Sequence, residues 1–276
     1  MAGNTLGAIF RLTTWGESHG EAVGAVVDGC PPGITLNERD IQKELDRRRP
    51  GQGGGSSSRK EEDRPEILSG IFEGTTTGTP ISIVIRNRDR ESSDYNGLRN
   101  VFRPGHGDYS WYQKYGNRDH RGGGRASGRE TAARVAGGAI AKKILENEGI
   151  SLAARTIELG GIPIDSCDEA DMADTRLCCP DRASAERMEK ALEAARSKGD
   201  TLGGLVEITV RGCPAGLGEP VFDRMDADLA KALMSIGTVK AVEIGAGIEA
   251  ARIPGSVCND AMGPGGFLSN NAGGIL

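Results

Sequence analysis

Apolar and polar side chains alternate along two stretches near the start of the chain. Residues 5–13 carry an apolar side chain at every second position, which predicts a half-buried strand because alternate side chains of a strand share one face. Residues 22–28 predict a second strand of the same kind. The two therefore form an antiparallel hairpin across a polar, glycine-rich loop at residues 16–20.

Further along, the apolar spacing changes between the helical and the extended period. The pattern predicts helices over about 37–48, 128–147, 184–198 and 226–235 and strands near 66–72, 80–86, 204–210 and 239–244. Hairpins combined with scattered helices favour an α+β fold over a doubly wound parallel sheet. Residues 88–126 show no clear period and predict a long polar loop, which in a compact domain is usually functional.

Composition narrows the class of protein. The net charge of −5 argues against a general nucleic-acid surface or an acidic-membrane surface, so any anionic ligand must be held by a local group of cations. No apolar run reaches membrane-spanning length and no secretory leader is visible, so we expect a cytoplasmic protein without membrane or nucleic-acid partners. The six cysteines show no metal-ligand spacing, and we expect reduced thiols and no metal site.

The strongest local signal is the glycine–arginine stretch, residues 121–131. Three glycines precede Ser127, which with Glu130 forms a capping box for the following helix. Backbone N–H groups, the helix dipole and Arg121, Arg125 and Arg129 together predict a phosphate or carboxylate site. The alternative is a tight turn into a closely packed helix, with solvated arginines.

Two further features carry candidate chemistry. Arg47, Arg48 and Arg49 end a helix, where cations pair with the helix dipole but also suit a multiply anionic ligand. The three histidines His19, His106 and His120 all lie in polar, glycine-flanked loops, where an imidazole is a natural general acid near neutral pH. His120, which is surrounded by charges, is the weakest candidate of the three.

These motifs, in this order, resemble those of the chorismate synthase family. The matching strings are residues 16–31, 45–51, 103–109, 114–125, 214–223 and 269–274. The resemblance implies a β-α-β sandwich, with helices between antiparallel sheets, formed by one domain over residues 1–276 and assembled as a homotetramer. It also implies a lyase that converts 5-enolpyruvylshikimate 3-phosphate to chorismate and phosphate by anti 1,4-elimination, the last step of the shikimate pathway. The cofactor implied is reduced FMN, with NADPH where the enzyme reduces its own flavin.

The resemblance also assigns roles to single residues. His19 is similar to the acid near the departing phosphate, and His106 to the group that interacts with the reduced flavin. The implied flavin contacts are Arg48, Arg125, Ala126, Ser127, Gly237 and Thr238. The predicted substrate-binding arginines are Arg48, Arg49, Arg121 and Arg129.

The chain departs from the family pattern in three places. Gly54 stands where many members have a further arginine, and Gly237-Thr238 differ from the commoner residues. A Lys-Pro-Thr segment and an Arg-His-Asp motif follow in the family beyond the position of Leu276, so we expect these residues alone to be C-terminally incomplete and to have little activity. A non-catalytic remnant and a flavin reductase or electron carrier remain alternative functions. FMN titration tests the first, and net NAD(P)H consumption tests the second.

Overall fold

A computed structural model describes residues 3–48, 61–88 and 93–275 of the chain. The chain forms two compact units, Met1–Cys213 and Pro214–Leu276. The single domain expected over residues 1–276 stays a prediction.

The first unit contains a five-stranded sheet, a three-stranded sheet and a short hairpin. Their strands are β1 (Thr5–Leu6), β2 (Arg11–Gly16), β3 (Ala22–Asp28), β4 (Pro65–Ile67), β5 (Ile71–Phe72), β6 (Thr75–Thr76), β7 (Ile81–Arg86), β8 (Ser151–Leu159), β9 (Ile162–Pro163) and β10 (Gly204–Arg211). The large sheet has the order β1-β2-β3-β7-β4, the second sheet has the order β10-β8-β9, and β5 pairs with β6. Each strand pair described is antiparallel.

The described residues of the first unit form the α-helices α1 (Glu38–Arg48), α2 (Asp108–Tyr115), α3 (Thr131–Asn147), α4 (Asp171–Asp174) and α5 (Arg182–Ser197). Helices α1 and α3 pack on one another, and α3 packs on β2, β3 and β7. Their shared core consists of fully buried aliphatic side chains, among them Val23, Val27, Leu36, Ile41, Leu45, Ile81, Ile83, Ile85, Ala136 and Ile140. This layer of two helices on a sheet positions the loops at the ends of β2, α1 and α3.

Small residues let α3 lie close to the sheet. A Cβ atom on Gly137 would lie 2.4 Å from Cδ1 of Leu12 on β2, so a larger residue here would push the helix outward. The buried alanines of α3 serve the same close packing. The N-terminus of α3 is thereby held against the sheet, beside the loop that follows β2.

The second, smaller core of the first unit lies under α5. Cys179, Ala185 and Met188 are buried there against partly buried apolar residues of β8 and β9. Asp181 caps α5 by accepting hydrogen bonds from the N–H groups of Ala183 and Ser184. Hydrogen bonding, first of all from the Ser184 hydroxyl, holds the pKa of Asp181 well below its usual range.

The second unit contains α6 (Met225–Met234), α7 (Gly255–Cys258) and a hairpin of β11 (Met262–Gly263) with β12 (Gly266–Phe267). Residues 245–247 pack against the turn at 271–273, where the N–H of Ala246 donates to the carbonyl of Asn271 at 2.7 Å. Asp260 fixes that turn by accepting bonds from the Ser269 hydroxyl and the N–H of Ala272.

The α+β prediction is confirmed, and the predicted helices are present within a few residues of their expected bounds. Four local predictions were wrong. The strand expected near 66–72 is interrupted at Gly70, which has a left-handed φ of 83°, and forms β4 of the large sheet and β5 of the short hairpin. Gly7, with a left-handed φ of 95°, divides the first strand into β1 and β2. Residues 239–244 form no strand, and part of the loop at 88–126 is ordered as α2 and a 3-10 helix at Ser93–Leu98. No helix among the described residues is long and apolar enough to span a membrane.

Candidate active site

His19 lies in the loop between β2 and β3, where its imidazole packs against the backbone of Gly122. A Cβ atom on Gly122 would lie 2.3 Å from Cδ2 and 2.5 Å from Nε2 of His19. The φ of Gly122 is 61°, a left-handed conformation that glycine adopts readily. The ring of Tyr95 meets the imidazole edge-on, with 5.0 Å between the centroids. The half-buried imidazole is therefore held between the glycine–arginine stretch and the 3-10 helix at Ser93–Leu98.

The loop that carries His19 is fixed from both sides. The N–H of Ser18 donates to the carbonyl of Gly124 at 3.3 Å. From the other side, Nδ2 of Asn87 donates to the carbonyls of Glu17 and Gly20, each at 2.9 Å. The loop is therefore attached both to the glycine–arginine stretch and to the end of β7.

His106 is exposed on the loop that precedes α2, and its Nδ1 lies 3.0 Å from the carbonyl oxygen of Pro104. Arg103 closes this loop by donating two hydrogen bonds of 2.9 Å to the carboxylate of Asp108. These bonds lower the pKa of Asp108 to about 2, so the carboxylate is ionised at neutral pH. A charged, two-point contact of this kind fixes the geometry of the loop around His106.

Arg118 ties the same loop to the chain that leads into it. Its side chain is buried, and its Nη2 donates to the carbonyls of Leu98, Arg99 and Val101. Its Nη1 lies 3.4 Å from Asp108. One guanidinium thus pairs with three backbone carbonyls of the segment that leads into the loop.

The glycine–arginine stretch lies between the two histidine loops. A Cβ atom on Gly123 would lie 3.3 Å from Nη2 of Arg103, and one on Gly107 would lie 3.5 Å from Cβ of Ala126. A cleft of about 120 Å³ opens between these segments, lined by Glu17, Gly107, Asp108, Trp111, Arg118, Asp119, Gly123, Gly124, Arg125 and Ala126. The glycines thus allow three loops to meet at one place.

Only one half of the predicted capping box forms. Oγ of Ser127 accepts a hydrogen bond from the N–H of Arg129 at 3.3 Å. The carboxylate of Glu130 instead accepts bonds from Oγ1 of Thr14 at 2.8 Å and from Nε of Arg134 at 2.7 Å. Glu130 therefore connects the start of α3 to β2.

The arginines of the stretch have different surroundings. Arg125 donates from Nη2 to the carbonyl and hydroxyl of Thr14 and to the side chain of Asn4, and from Nη1 to the carbonyl of Gly16. Its guanidinium thus supports β2 and the chain before it. The side chain of Arg121 is 44% exposed and pairs with the neighbouring Asp119.

Arg48 and Arg129 converge on one buried carboxylate. Asp63 accepts from Nη1 of Arg48 at 2.9 Å and also pairs with Nη1 of Arg129. The side chain of Asp63 is 0% exposed and that of Arg129 is 3% exposed, so this is an ion-pair cluster inside the protein. Arg48 also donates to the hydroxyl of Thr131 and the carbonyl of Gly128, which brings the end of α1 to the start of α3.

The other residues predicted from the family pattern are Arg49, Gly54, Gly237 and Thr238. Arg49 and Gly54 fall outside the described residues. Gly237 and Thr238 follow α6 in the second unit, where Thr238 has a left-handed φ of 76°. The ligand contacts assigned to individual residues stay predictions.

Sequence reasoning missed Asp63, Asn87, Asp108 and Tyr95. Asp108 had a visible signal, because it lies two residues after His106 in a motif already singled out. Asn87 had a weaker signal, as a polar residue directly after the apolar strand β7. Nothing in the pattern around Asp63 distinguishes it from its charged neighbours.

The fold and this arrangement define an α+β protein in which two histidine-bearing loops meet a glycine–arginine stretch, and comparison with known proteins identifies the family. The chorismate synthase family model matches residues 10–276. Chorismate synthase of Syntrophus aciditrophicus is 63% identical over all of this chain and 79% of that protein. Chorismate synthase of Methanosarcina mazei is 56% identical over all of this chain and 78% of that protein.

A crystal structure of chorismate synthase agrees with this match. It superposes with a TM-score of 0.82 at 34% identity and covers 98% of this chain and 80% of that chain. The chain belongs to the chorismate synthase family. Its function is accordingly that of a lyase in the shikimate pathway to aromatic amino acids, and the comparisons give no support to the remnant or the reductase.

Proposed function

We propose that this protein converts 5-enolpyruvylshikimate 3-phosphate to chorismate and phosphate by an anti 1,4-elimination, with reduced FMN bound beside the substrate. The observation that carries the proposal is the meeting of the two histidine loops at the glycine–arginine stretch. Membership of the chorismate synthase family supports the reaction, and the meeting of the loops supports its location in the chain.

One donor of the buried cluster suits an anionic ligand. Arg48 and Arg129 both pair with the carboxylate of Asp63. Among the described residues, the buried Nη2 of Arg129 has no hydrogen-bond partner. Buried cations are costly unless they are paired, so an anionic oxygen at this place would be favourable.

The residues that the family resemblance assigns would bind the phosphate-bearing groups of the proposed ligands. Arg48, Arg125, Ala126, Ser127, Gly237 and Thr238 would hold the flavin, which when bound supplies an electron-rich partner to the substrate ring. Arg48, Arg49, Arg121 and Arg129 would hold the phosphate and the two carboxylates of the substrate. Binding these anions would explain why arginines are clustered in a chain of net charge −5.

His19 would donate the proton that the departing phosphate needs. Its imidazole is half-buried between Gly122 and Tyr95, which restricts its orientation. A positioned general acid typically contributes about 10²–10⁴-fold to a rate. His106, on the opposite loop, would contact the flavin and hold a proton near it.

The protein would work in the cytoplasm as a homotetramer and would use NADPH if it reduces its own flavin. Exposed apolar residues of β10, namely Leu205, Val206 and Ile208, support an assembly of several chains. Light scattering tests this part separately. We expect the mass of four chains, and a monomer at micromolar concentration would contradict it.

Anaerobic titration with reduced FMN tests the proposed function. We expect saturable binding of one flavin per chain and a change in flavin absorbance when the substrate is added. A non-catalytic remnant would give neither signal. A flavin reductase would bind flavin but would consume NADPH in proportion to turnover.

A further inference from the structure

A chain of buried polar contacts links Arg48 to the loop that carries His19. It begins at Asp63, whose carboxylate pairs with Arg48 on one oxygen and with Arg129 on the other. Asp63 adopts a left-handed φ of 48°, which is uncommon for a residue other than glycine. This backbone conformation brings the carboxylate between two arginines from different elements.

Asn87 continues the chain from Arg129. Its Oδ1 accepts a hydrogen bond from Nε of Arg129 at 2.9 Å, and the residue is only 1% exposed. Its Nδ2 donates to the carbonyls of Glu17 and Gly20, which flank His19 in the loop. A guanidinium in the middle donates only, so the acceptor oxygen of Asn87 must face it and the amino group must face the loop.

We propose that Asp63 and Asn87 are positioning residues of the lyase reaction. Asp63 sets the direction of Arg48 toward the anionic substrate, and Asn87 sets the loop that presents His19 to the departing phosphate. Because Arg129 bonds to both, the binding arginine and the proton donor share one rigid buried frame. This inference rests on the proposed function and assigns roles to two residues that touch neither ligand.

Replacing Asp63 and replacing Asn87 should have different effects on the reaction. Without the charge of Asp63, two buried guanidinium groups repel one another, and Arg48, whose side chain is 18% exposed, can turn toward water. Weaker capture of the substrate follows. Without the amino group of Asn87, the carbonyls of Glu17 and Gly20 lose the bonds that tie the loop to β7, and the His19 loop shifts while Arg48 stays in place. A small displacement of a catalytic group chiefly lowers turnover.

The variants are Asp63→Asn, Asp63→Glu and Asn87→Asp, with Glu44→Gln as the matched control. Glu44 lies on α1, the helix that carries Arg48, and does not line the cleft. Like Asp63, it pairs with two cations, Arg47 and Lys142. Asn87→Asp keeps an acceptor for Arg129 but turns a charged oxygen, instead of the amino group, toward the carbonyls of the loop. Four measurements compare the variants: kcat, KM for the substrate, thermal unfolding and NMR titration of the imidazoles. The whole chain contains three histidines.

We expect Asp63→Asn to raise KM about tenfold or more with kcat within about threefold, and Asp63→Glu to recover part of the loss. Asn87→Asp should lower kcat about tenfold with KM nearly constant, and should shift the NMR titration of His19 but not that of His120. Glu44→Gln should change neither constant. If all the variants lost activity only in proportion to their unfolded fraction, with KM and the His19 signal unchanged, the two residues would be merely structural. The NMR measurement needs no turnover, so it tests the frame even if the wild-type protein makes no chorismate.

Discussion

The imidazole of His19 occupies the space that a side chain on residue 122 would need, because the backbone of Gly122 runs directly beneath the ring. The glycines before α3 were expected to admit an anion to the backbone. At residue 122, the glycine also admits the candidate proton donor.

Substituting Gly122 tests this contact. Gly122→Ala should lower turnover by roughly 10–100-fold, because the methyl group displaces the imidazole. It should also cost about 1–2 kcal/mol in stability for the left-handed φ. Gly116→Ala is the matched control, since Gly116 has a similar φ of 68° and no atom within 4 Å of the added methyl group. Single-turnover rates and thermal unfolding separate the two effects, and equal turnover in both variants would contradict the account.

The ion pair of Asp108 with Arg103 predicts a pH dependence of stability. The pKa of Asp108 falls from an ordinary 3.8 to about 2 in the folded protein. Its contribution is therefore fully present above pH 4 or so and is lost as the pH falls toward 2. The difference in urea midpoint between wild type and Asp108→Asn should shrink over this range. Asp28→Asn, which removes an exposed pair with Arg11, serves as the control and should have little effect at any pH.

Arg125 should matter for folding as well as for binding. Its guanidinium bonds to Thr14, Asn4 and Gly16, so Arg125→Ala should cost about 1.5–3 kcal/mol and also weaken the binding of reduced FMN. Arg121→Ala removes an exposed arginine of the same stretch and should leave the unfolding temperature unchanged. Urea unfolding and flavin titration check both. An Arg125→Ala protein of wild-type stability would show that these bonds contribute nothing.

Much of the fold follows from periodicity, because β3, β7 and α5 carry regular apolar patterns that the core requires. The sequence failed where one residue interrupts a pattern, as Gly7 does between β1 and β2. It also failed at residues 88–126, because α2 is short and rich in exposed aromatic side chains, among them Tyr109, Tyr112 and Tyr115. Local pattern gives no sign of a helix held mainly by its flanking loops.

For the site, the motifs predicted which segments carry chemistry but not what lies beneath them. The pairing of Asp63 with Arg129 joins residues 66 positions apart, and that of Asn87 with Arg129 joins residues 42 apart. Such contacts depend on how α1, β7 and α3 come together. The sequence spacing of the motif residues also does not predict that the Arg125 guanidinium bonds to Thr14 of β2.

In the chain extended to the full length of its relatives, replacing each of the three histidines by alanine should have a different effect. His19→Ala should lower turnover about 10²–10⁴-fold with little change in flavin affinity, because it removes the proton donor. His106→Ala should also change the flavin absorbance seen on substrate binding. His120→Ala should be mild. Single-turnover kinetics that follow flavin absorbance and product together make the comparison, and a His120→Ala variant more damaged than His19→Ala would reverse the assignment.

The central claim is a lyase reaction that needs reduced flavin without consuming it. The most direct measurement is anaerobic turnover of 5-enolpyruvylshikimate 3-phosphate by the chain extended to the full length of its relatives. Chemically reduced FMN is added in substoichiometric amount, and chorismate and phosphate are followed together. The account predicts equal amounts of both products, many turnovers per flavin and no net flavin oxidation. Phosphate without chorismate, or product limited to one equivalent per flavin, would contradict it.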